Sequence, residues 1–356
     1  MCEVTLAIPL YNAEKYIFKT MQSALSQSFD DIEFLVVDDH SSDNSICIIE
    51  SFMKTHLRGS FIRLITNDIN LGAGESRNIA IREAKGKYIF FLDSDDLIAQ
   101  NCIEILYNSI QSKEAQISIG SYQKCYENGK IIDIECLPNV SGHLKGQFAQ
   151  LIYGNLKHFR LIACNALYKI DFLRENHIFF FKSNSSEDTI FVTDLIPEVE
   201  SFVLSHCITY TYVIRPNSLS QYNVRNSISL SEINLQMGVR FYQKDKMMQC
   251  KQFFYFPEMC LYLTRFFFTS SFFVVANMKK IRPAFDYKQI KELLSVKLSL
   301  KEVLCFRKGK FMMLFFYVLG MIPSCLQKII LFCSYRFYTM YLPHLRLLAD
   351  NNKLNN

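Results

Sequence analysis

The chain has 356 residues, 50% of them apolar and 21% charged, with 12 Gly, 8 Pro and no Trp. That supplies the core of a large α/β domain plus an extension of roughly 100 residues, and it excludes wholesale disorder, collagen and solenoid repeats. The net charge of +5 is split unevenly: residues 1–239 hold 20 Lys/Arg against 28 Asp/Glu, a net −8, and residues 240–356 hold 19 against 6, a net +13. The basic, Phe-rich C-terminal part calls for an anionic partner, either a membrane surface or a nucleic acid. The twelve Cys show no CxxC and no Cys/His cluster with zinc spacing, and Met1-Cys2-Glu3 leads straight into a strand-like run without a signal-peptide pattern. Free thiols in a reducing, cytoplasmic compartment are expected.

Val4 to Leu10 is a short apolar run that ends at Tyr11-Asn12 and reads as a buried strand. Ala13 to Ser28 carries Tyr16, Ile17, Met21, Ala24 and Leu25 at helical spacing. Ile32 to Val37 is a second strand, stopping at Asp38-Asp39. Asp43 stands where a cap belongs, ahead of Ile46, Ile49 and Phe52 on one helical side. A third strand over Phe61 to Ile65, a third helix over Ala73 to Ala84 and a fourth strand over Tyr88 to Leu92 follow. This repetition predicts an α/β fold with a mostly parallel central sheet flanked by helices, whose ligands bind beyond the carboxyl ends of the strands. Tyr11-Asn12, Asp38-Asp39, Asn67 and Asn70, and Asp93-Ser94-Asp95-Asp96 all fall at such ends.

Farther on, Ile117-Ser118-Ile119 and Ile131-Ile132 read as strands. Ser186-Glu187-Asp188 opens a helix through Leu195 before Pro197, Ser201 to Tyr212 reads as a strand, and Arg215-Pro216-Asn217-Ser218 as a turn. From about residue 228 the pattern turns helical and aromatic. A 13-residue stretch without charge, 266–278, is followed by Lys279, Lys280 and Arg282; a 17-residue one, 311–327, is preceded by Arg307, Lys308 and Lys310. Both fall short of the roughly 20 apolar residues of a membrane span, and Pro323 interrupts the second. They read either as helices lying on a membrane surface or as a bundle packed on the first domain, and the +13 charge favours the membrane surface.

Asp93 and Asp95, two residues apart at a strand end, suit one hard divalent cation, Mg²⁺ or Mn²⁺, beside a diphosphate. Acidic turns are more often only solvated, and it is the place after the fourth strand that sets this one apart. Asp38-Asp39 reads either as a turn into the next helix or as a carboxylate that accepts from a base N–H or a ribose hydroxyl. Gly72 and Gly74 allow close backbone approach, and a helix start with Arg77 attracts a phosphate. The segment carries neither GxGxxG nor GxxxxGK[ST], and there is no GxSxG elsewhere.

The order of these motifs resembles the family 2 glycosyltransferases with a GT-A fold. The resemblance rests on Pro9-Leu10-Tyr11-Asn12, on Val37-Asp38-Asp39-His40-Ser41-Ser42-Asp43, on Asn70-x-Gly72 with Arg77-Asn78, and on Phe91-Leu92-Asp93-Ser94-Asp95-Asp96. Glu187-Asp188 is similar to that family's later Glu-Asp motif, and Tyr210-x-Tyr212-x-x-Arg215-x-Asn217-Ser218 to its closing segment. The resemblance covers about residues 3–220. It implies transfer of one sugar from a nucleotide-diphosphate sugar, most often a UDP-sugar, to an acceptor hydroxyl with inversion. By that similarity Pro9, Tyr11, Asn12, Asp38, Asp39, Asn70, Gly72, Arg77, Asp93 and Ser94 bind the nucleotide-sugar. Asp93 and Asp95 hold Mg²⁺ or Mn²⁺, and Asp188 or the adjacent Glu187 is the catalytic base. Two departures are visible: His40 replaces the usual Gly after the double Asp, and Ser76 stands where Ala is common. The processive members' Gln-x-x-Arg-Trp motif is impossible without Trp, so a non-processive enzyme is expected.

The implied organisation is a GT-A domain over 1–225, with a nucleotide-binding half (1–112) and an acceptor half (113–225), and a helical, basic extension over 226–356. The expected acceptor is a glycan or lipid-linked oligosaccharide, and the expected place is the cytoplasmic face of the membrane, held peripherally. A nucleotidyltransferase ranks lower because Leu10-Tyr11-Asn12-Ala13-Glu14 replaces its basic, Gly-rich loop. A nucleic-acid partner is not expected, since the basic residues are spread among apolar helices without a recognised module.

Overall fold

A computed structural model describes residues 2–154, 163–182, 187–215, 227–284 and 297–322, with 326–327, 329–330 and 333. The chain divides into two units: residues 1–218 with 252–255, and residues 219–251 with 256–356. The expected boundary at 225/226 lies outside the described residues, as do Ser186, Pro216, Asn217, Ser218 and Pro323.

In the first unit the apolar runs become β1 (Val4–Leu10), β2 (Ile32–Asp38), β3 (Ile62–Thr66) and β4 (Tyr88–Phe91). The helices between them are α1 (Ile17–Leu25), α2 (Ser45–Thr55) and α3 (Ala73–Glu83). All four strands pair in parallel, with Val4 opposite both Ile32 and Tyr88. Almost every residue of β1 and all of β2 is buried, so they read as unbroken apolar runs rather than alternating ones.

The unit continues with β5 (Leu97–Ile98), α4 (Cys102–Ser112), β6 (Ile117–Tyr126), β7 (Ile131–Glu135), β8 (Val140–Gly142), α5 (Gln147–Gly154) and β9 (Ala166–Lys169). It closes with α6 (Ile170–Glu175), α7 (Glu187–Glu198) and β10 (Phe202–Ile214). Among the described residues the strands form one sheet in the order β3-β2-β1-β4-β9-β6-β10-β5, with β7 on β6 and β8 on β10. β4 and β6 both lie antiparallel to β9, and β10 is parallel to β6, so β1 to β4, β6 and β10 share one direction. The architecture is the expected mostly parallel sheet with helices.

Some boundaries differ from expectation. Residues 59–61 form a tight turn, so the third strand starts at Ile62 rather than Phe61. Asn44 takes the cap position of α2, and Asp43, one residue earlier, accepts the Ser45 N–H at 3.0 Å. Helix α7 runs past Leu195 through Pro197 to Glu198, so the proline stands one residue before the helix ends.

The second unit holds α8 (Leu230–Gln249), α9 (Phe256–Asn277), a short pair of strands at Ile228–Ser229 and Ile281–Arg282, and helices Leu300–Leu304 and Lys310–Met321. Ile228, Leu230, Ile233, Met237, Val274 and Ile281 form its core. The two uncharged runs part company here. Phe267 and Val274, in the first, are buried, so that run packs one side into the unit. The second forms Lys310–Met321 and keeps large apolar side chains exposed. No described helix is long and apolar enough to cross a membrane. The eleven described cysteines are all free thiols, five of them buried.

Candidate functional site

The carboxyl ends of β1 and β2 are laced together by short polar contacts. Asn12 adopts a left-handed φ of 45°, its side-chain oxygen accepts the Ser42 N–H at 2.8 Å, and its own N–H donates to Ser41 Oγ at 3.0 Å. The Ala13 N–H donates to Ser45 Oγ and the Glu14 N–H to Asp43. His40, the departure noted above, holds φ at 65°, the left-handed turn that a glycine adopts without cost. Asn12 is therefore a strut of this loop. Pro9 is half-buried and Tyr11 is 52% exposed, leaving both open to a ligand.

Asp38 and Asp39 are buried and differ in use. One Asp38 oxygen accepts the Ser41 N–H at 3.0 Å, and the other finds no donor among the described residues. Asp39 accepts from Asn67 Nδ2 at 2.9 Å and from the backbone N–H groups of Leu71 at 2.7 Å and Gly72 at 2.8 Å. Asn70 Nδ2 donates to the Asp39 carbonyl at 3.2 Å. Asp39 thus fastens the loop that enters α3, where Gly72 takes a φ of 92°. The two backbone N–H groups just ahead of α3, those of Leu71 and Gly72, thus face a carboxylate.

Helix α3 buries four consecutive polar residues, Glu75, Ser76, Arg77 and Asn78. Asn78 clamps Phe180 through two bonds, accepting its N–H at 2.7 Å and donating to its carbonyl at 2.9 Å. Gly74 lets the Phe181 carbonyl approach so closely that a Cβ would lie 2.1 Å from that oxygen. These contacts bring the chain leading to α7 against α3.

Arg77 then joins three distant carboxylates. It donates to Asp93 Oδ1 at 2.7 Å and Glu187 Oε1 at 3.0 Å, and lies 3.9 Å from Asp188 Oδ1. Burial alone would lower its pKa, but Asp93, Asp188 and Glu187 outweigh burial and hold it well above its usual value. The structure therefore surrounds Arg77 with carboxylates rather than leaving it facing an open phosphate site. Asp188 Oδ1 is buried with no donor among the described residues. Burial pushes the Asp188 carboxyl up to about 7; Arg77 opposes this, while Glu187 and Asp93 add to it.

After β4 the chain turns through Asp93, Ser94, Asp95 and Asp96, and the turn is pinned from α1 by Thr20 Oγ1, which donates to the Ser94 and Asp96 carbonyls. Asp93, Asp95 and Asp96 each place a carboxylate oxygen within 4.8 Å of the others. Arg215 forms an ion pair with Asp95 and stacks over the Tyr16 ring at 4.2 Å. Asp96 is buried, accepting from Tyr210 OH and the Val213 N–H, both at 2.8 Å; burial and then Asp93 push its carboxyl up to about 8. Hard oxygen donors crowded to the point of raising a neighbour's pKa fit a divalent cation. An open cleft of about 550 Å³ adjoins Asp95, lined among others by Lys15, Tyr16, Lys19 and Tyr126.

The sequence-predicted residues thus fall into two sets. Asp93, Asp95, Arg77, Glu187 and Asp188 cluster, with Ser94 in the turn that carries them, while Pro9, Tyr11, Asn12, Asp38, Asp39, Asn70 and Gly72 build the adjoining loops. Asp96, Tyr210 and Thr20 were not singled out as site-building. Asp96 and Tyr210 stand in the Phe91–Asp96 and Tyr210–Ser218 motifs, and Thr20 is a lone polar residue on the buried side of α1.

The family model described as Glycosyl transferase family 2 matches residues 5–176. Glycosyltransferase GlyG of Streptococcus pneumoniae is 38% identical over 119 residues, 33% of this chain and 38% of that protein, so the chain spans well under half of this relative. An uncharacterized glycosyltransferase of Haemophilus influenzae is 28% identical over 254 residues, 71% of this chain and 93% of that protein. Among solved structures, S. aureus TarS 1–349 in complex with UDP-GlcNAc superposes with a TM-score of 0.62 at 19% identity, covering 82% of this chain and 78% of that one. At that identity the likeness speaks for the fold.

Proposed function

We propose that this chain, whose residues 5–176 match the family model described as Glycosyl transferase family 2, transfers one sugar from a nucleotide-diphosphate sugar, UDP-sugars foremost, to a hydroxyl of a glycan or lipid-linked acceptor, inverting the anomeric centre. The observation that carries the reading is the Arg77 knot, which joins the end of β4 to the start of α7. The UDP-GlcNAc bound by the TarS structure supports the donor class.

In this reading Pro9 and Tyr11 flank the nucleoside, and Asp38, Asp39, Asn12, Asn70 and Gly72 shape the loops around it. Asp93 and Asp95 would hold Mg²⁺ or Mn²⁺, which would neutralise the departing diphosphate. Asp188 takes the proton of the acceptor hydroxyl as that oxygen bonds to the anomeric carbon and the bond to the diphosphate breaks. A carboxyl raised to about 7 is a base matched to neutral pH. Glu187 is tied to Arg77 at 3.0 Å and orients Asp188 and the acceptor. The basic, aromatic second unit holds the enzyme peripherally on the cytoplasmic membrane face, near a lipid-linked acceptor.

The test is nucleoside-diphosphate release from a panel of nucleotide sugars, with Mg²⁺ or Mn²⁺ and with chelator. Release from at least one donor that stops with chelator is expected. No release from any donor would sink the reading, and undiminished release in chelator would remove the metal from it.

A further inference from the structure

We propose that the helix Lys310–Met321 is the membrane-docking face of this protein, laying Phe311, Phe315, Val318 and Met321 into an anionic lipid surface with Arg307 and Lys310 at the headgroups. The proposal deepens the peripheral-membrane part of the function proposed above and is independent of the catalytic part.

The first support is the shape of the helix. Met313, Phe316 and Leu319 are buried, so one side is anchored in the second unit. The outward side is apolar as well: Phe311 is 87% exposed, Val318 51% and Met321 66%, with Met312 and Phe315 more than a third exposed. Phe311, Phe315 and Val318 recur at i, i+4 and i+7, so they form one stripe. A soluble helix presents polar residues on that side, and water offers no reason for this one to differ.

The second support is the placement of charge. Arg307, Lys308 and Lys310 gather at the N-terminal end, and no acidic residue occupies the first turn. Cations there oppose the helix macrodipole, so they destabilise the helix they adjoin. Lys308 is engaged by Glu258 at 2.8 Å, whereas Arg307 and Lys310 make no ion pair among the described residues. Cations placed against the dipole, beside an exposed aromatic stripe, match a negatively charged lipid surface. A twelve-residue helix is about 18 Å long, far less than the hydrocarbon thickness, so it lies in the interface and does not span it.

The test uses the full chain and sedimentation with phosphatidylcholine vesicles, with and without phosphatidylglycerol. The wild type should bind the anionic vesicles and bind the neutral ones much more weakly. Phe311→Ser with Phe315→Ser should lower the partition coefficient by about tenfold or more, and Arg307→Gln with Lys310→Gln by about fivefold per cation on anionic vesicles only. Both variants should keep the wild-type circular dichroism and nucleotide-sugar binding, since these side chains point away from the core. Undiminished binding by the Phe double variant would overturn this face while leaving membrane association to another surface. No vesicle binding by the wild type would overturn both, without touching the catalytic reading. A dimer in vesicle-free solution that the Phe double variant dissociates would assign the face to a second copy, and new vesicle binding after deletion of 334–356 would assign it to the chain's own tail. Either result overturns the proposal.

Discussion

The end of β2 and the start of α7 each carry a pair of carboxylates, and one member of each, Asp39 and Asp188, stands in opposite surroundings. Asp39 accepts three hydrogen bonds, two of them from backbone N–H groups, and its side chain is spent on holding a loop. Asp188 has an oxygen with no donor, shares one guanidinium with two other carboxylates, and titrates near neutrality. If Asp188 is the base proposed above, burial and the missing donor set it apart from the fully bonded Asp39. Substitutions at the two places should therefore do different things.

The largest effect belongs to Asp188→Asn. Loss of a general base should lower kcat by about 10²–10⁴-fold while nucleotide-sugar affinity holds. The same change should raise the stability of the metal-free protein above neutral pH. Asp188 has a folded pKa raised from 3.8 to about 7, so its contribution favours folding at low pH and is lost as pH climbs through that window. An amide that never ionises escapes the loss, by up to about 4 kcal/mol. Unfolding in urea at pH 8 measures it, and a variant both inactive and less stable would make Asp188 a structural residue. If Glu187→Gln falls further than Asp188→Asn, the two roles are exchanged.

Arg77→Met comes next. It leaves Asp93, Glu187 and Asp188 facing one another without their shared cation, and removing one partner of a buried ion network costs about 3–5 kcal/mol. A drop below about 1 kcal/mol in urea unfolding would mean that the knot contributes little to folding. Arg77→Lys should recover part of the loss, because the charge returns but the fork that reaches two carboxylates does not.

The difference between the two regions also explains what was legible in the sequence. β1, β2 and β4 are buried on both faces, so they appear as plain apolar runs, and the polar residues that end them mark the site edge. β9, four residues long and antiparallel, leaves no pattern of its own, although it separates β4 from β6. The motifs named Glu187 and Asp188 together; the structure adds that Glu187 is hydrogen-bonded to Arg77 at 3.0 Å while Asp188 stands 3.9 Å away. Tyr210 meets Asp96 across 114 positions and Arg215 meets Asp95 across 120, and pairings set by packing at that separation have no local spacing to read.

Asp39→Asn probes the scaffold side. The amide keeps one acceptor oxygen but turns an N–H₂ toward either the Gly72 or the Leu71 N–H, leaving a buried donor unpaired at a cost of about 1–3 kcal/mol. Thermal unfolding should show it, and activity at saturating donor should fall far less than in Asp188→Asn. A loss of kcat as large as that of Asp188→Asn would erase the distinction between the two regions. Reactivity itself should follow the base: kcat/KM is expected to rise about tenfold per pH unit below an apparent pKa near 7 and to level above it. A flat profile from pH 5 to 8 would remove Asp188 from proton transfer.

The smallest effect sits at His40, where the loop beside Asp39 adopts a left-handed φ of 65°. A side chain in that conformation costs about 1–2 kcal/mol, and part of this returns as the lower chain entropy that histidine has over glycine when unfolded. His40→Gly should therefore raise stability by about 1 kcal/mol or less, some 2–4 °C in Tm, without changing kcat. The direction matters more than the size. If glycine lowers Tm, the histidine ring is making a contact that outweighs its backbone strain, and the loop is held by its side chains more tightly than the hydrogen bonds of Asn12, Ser41 and Asp39 account for.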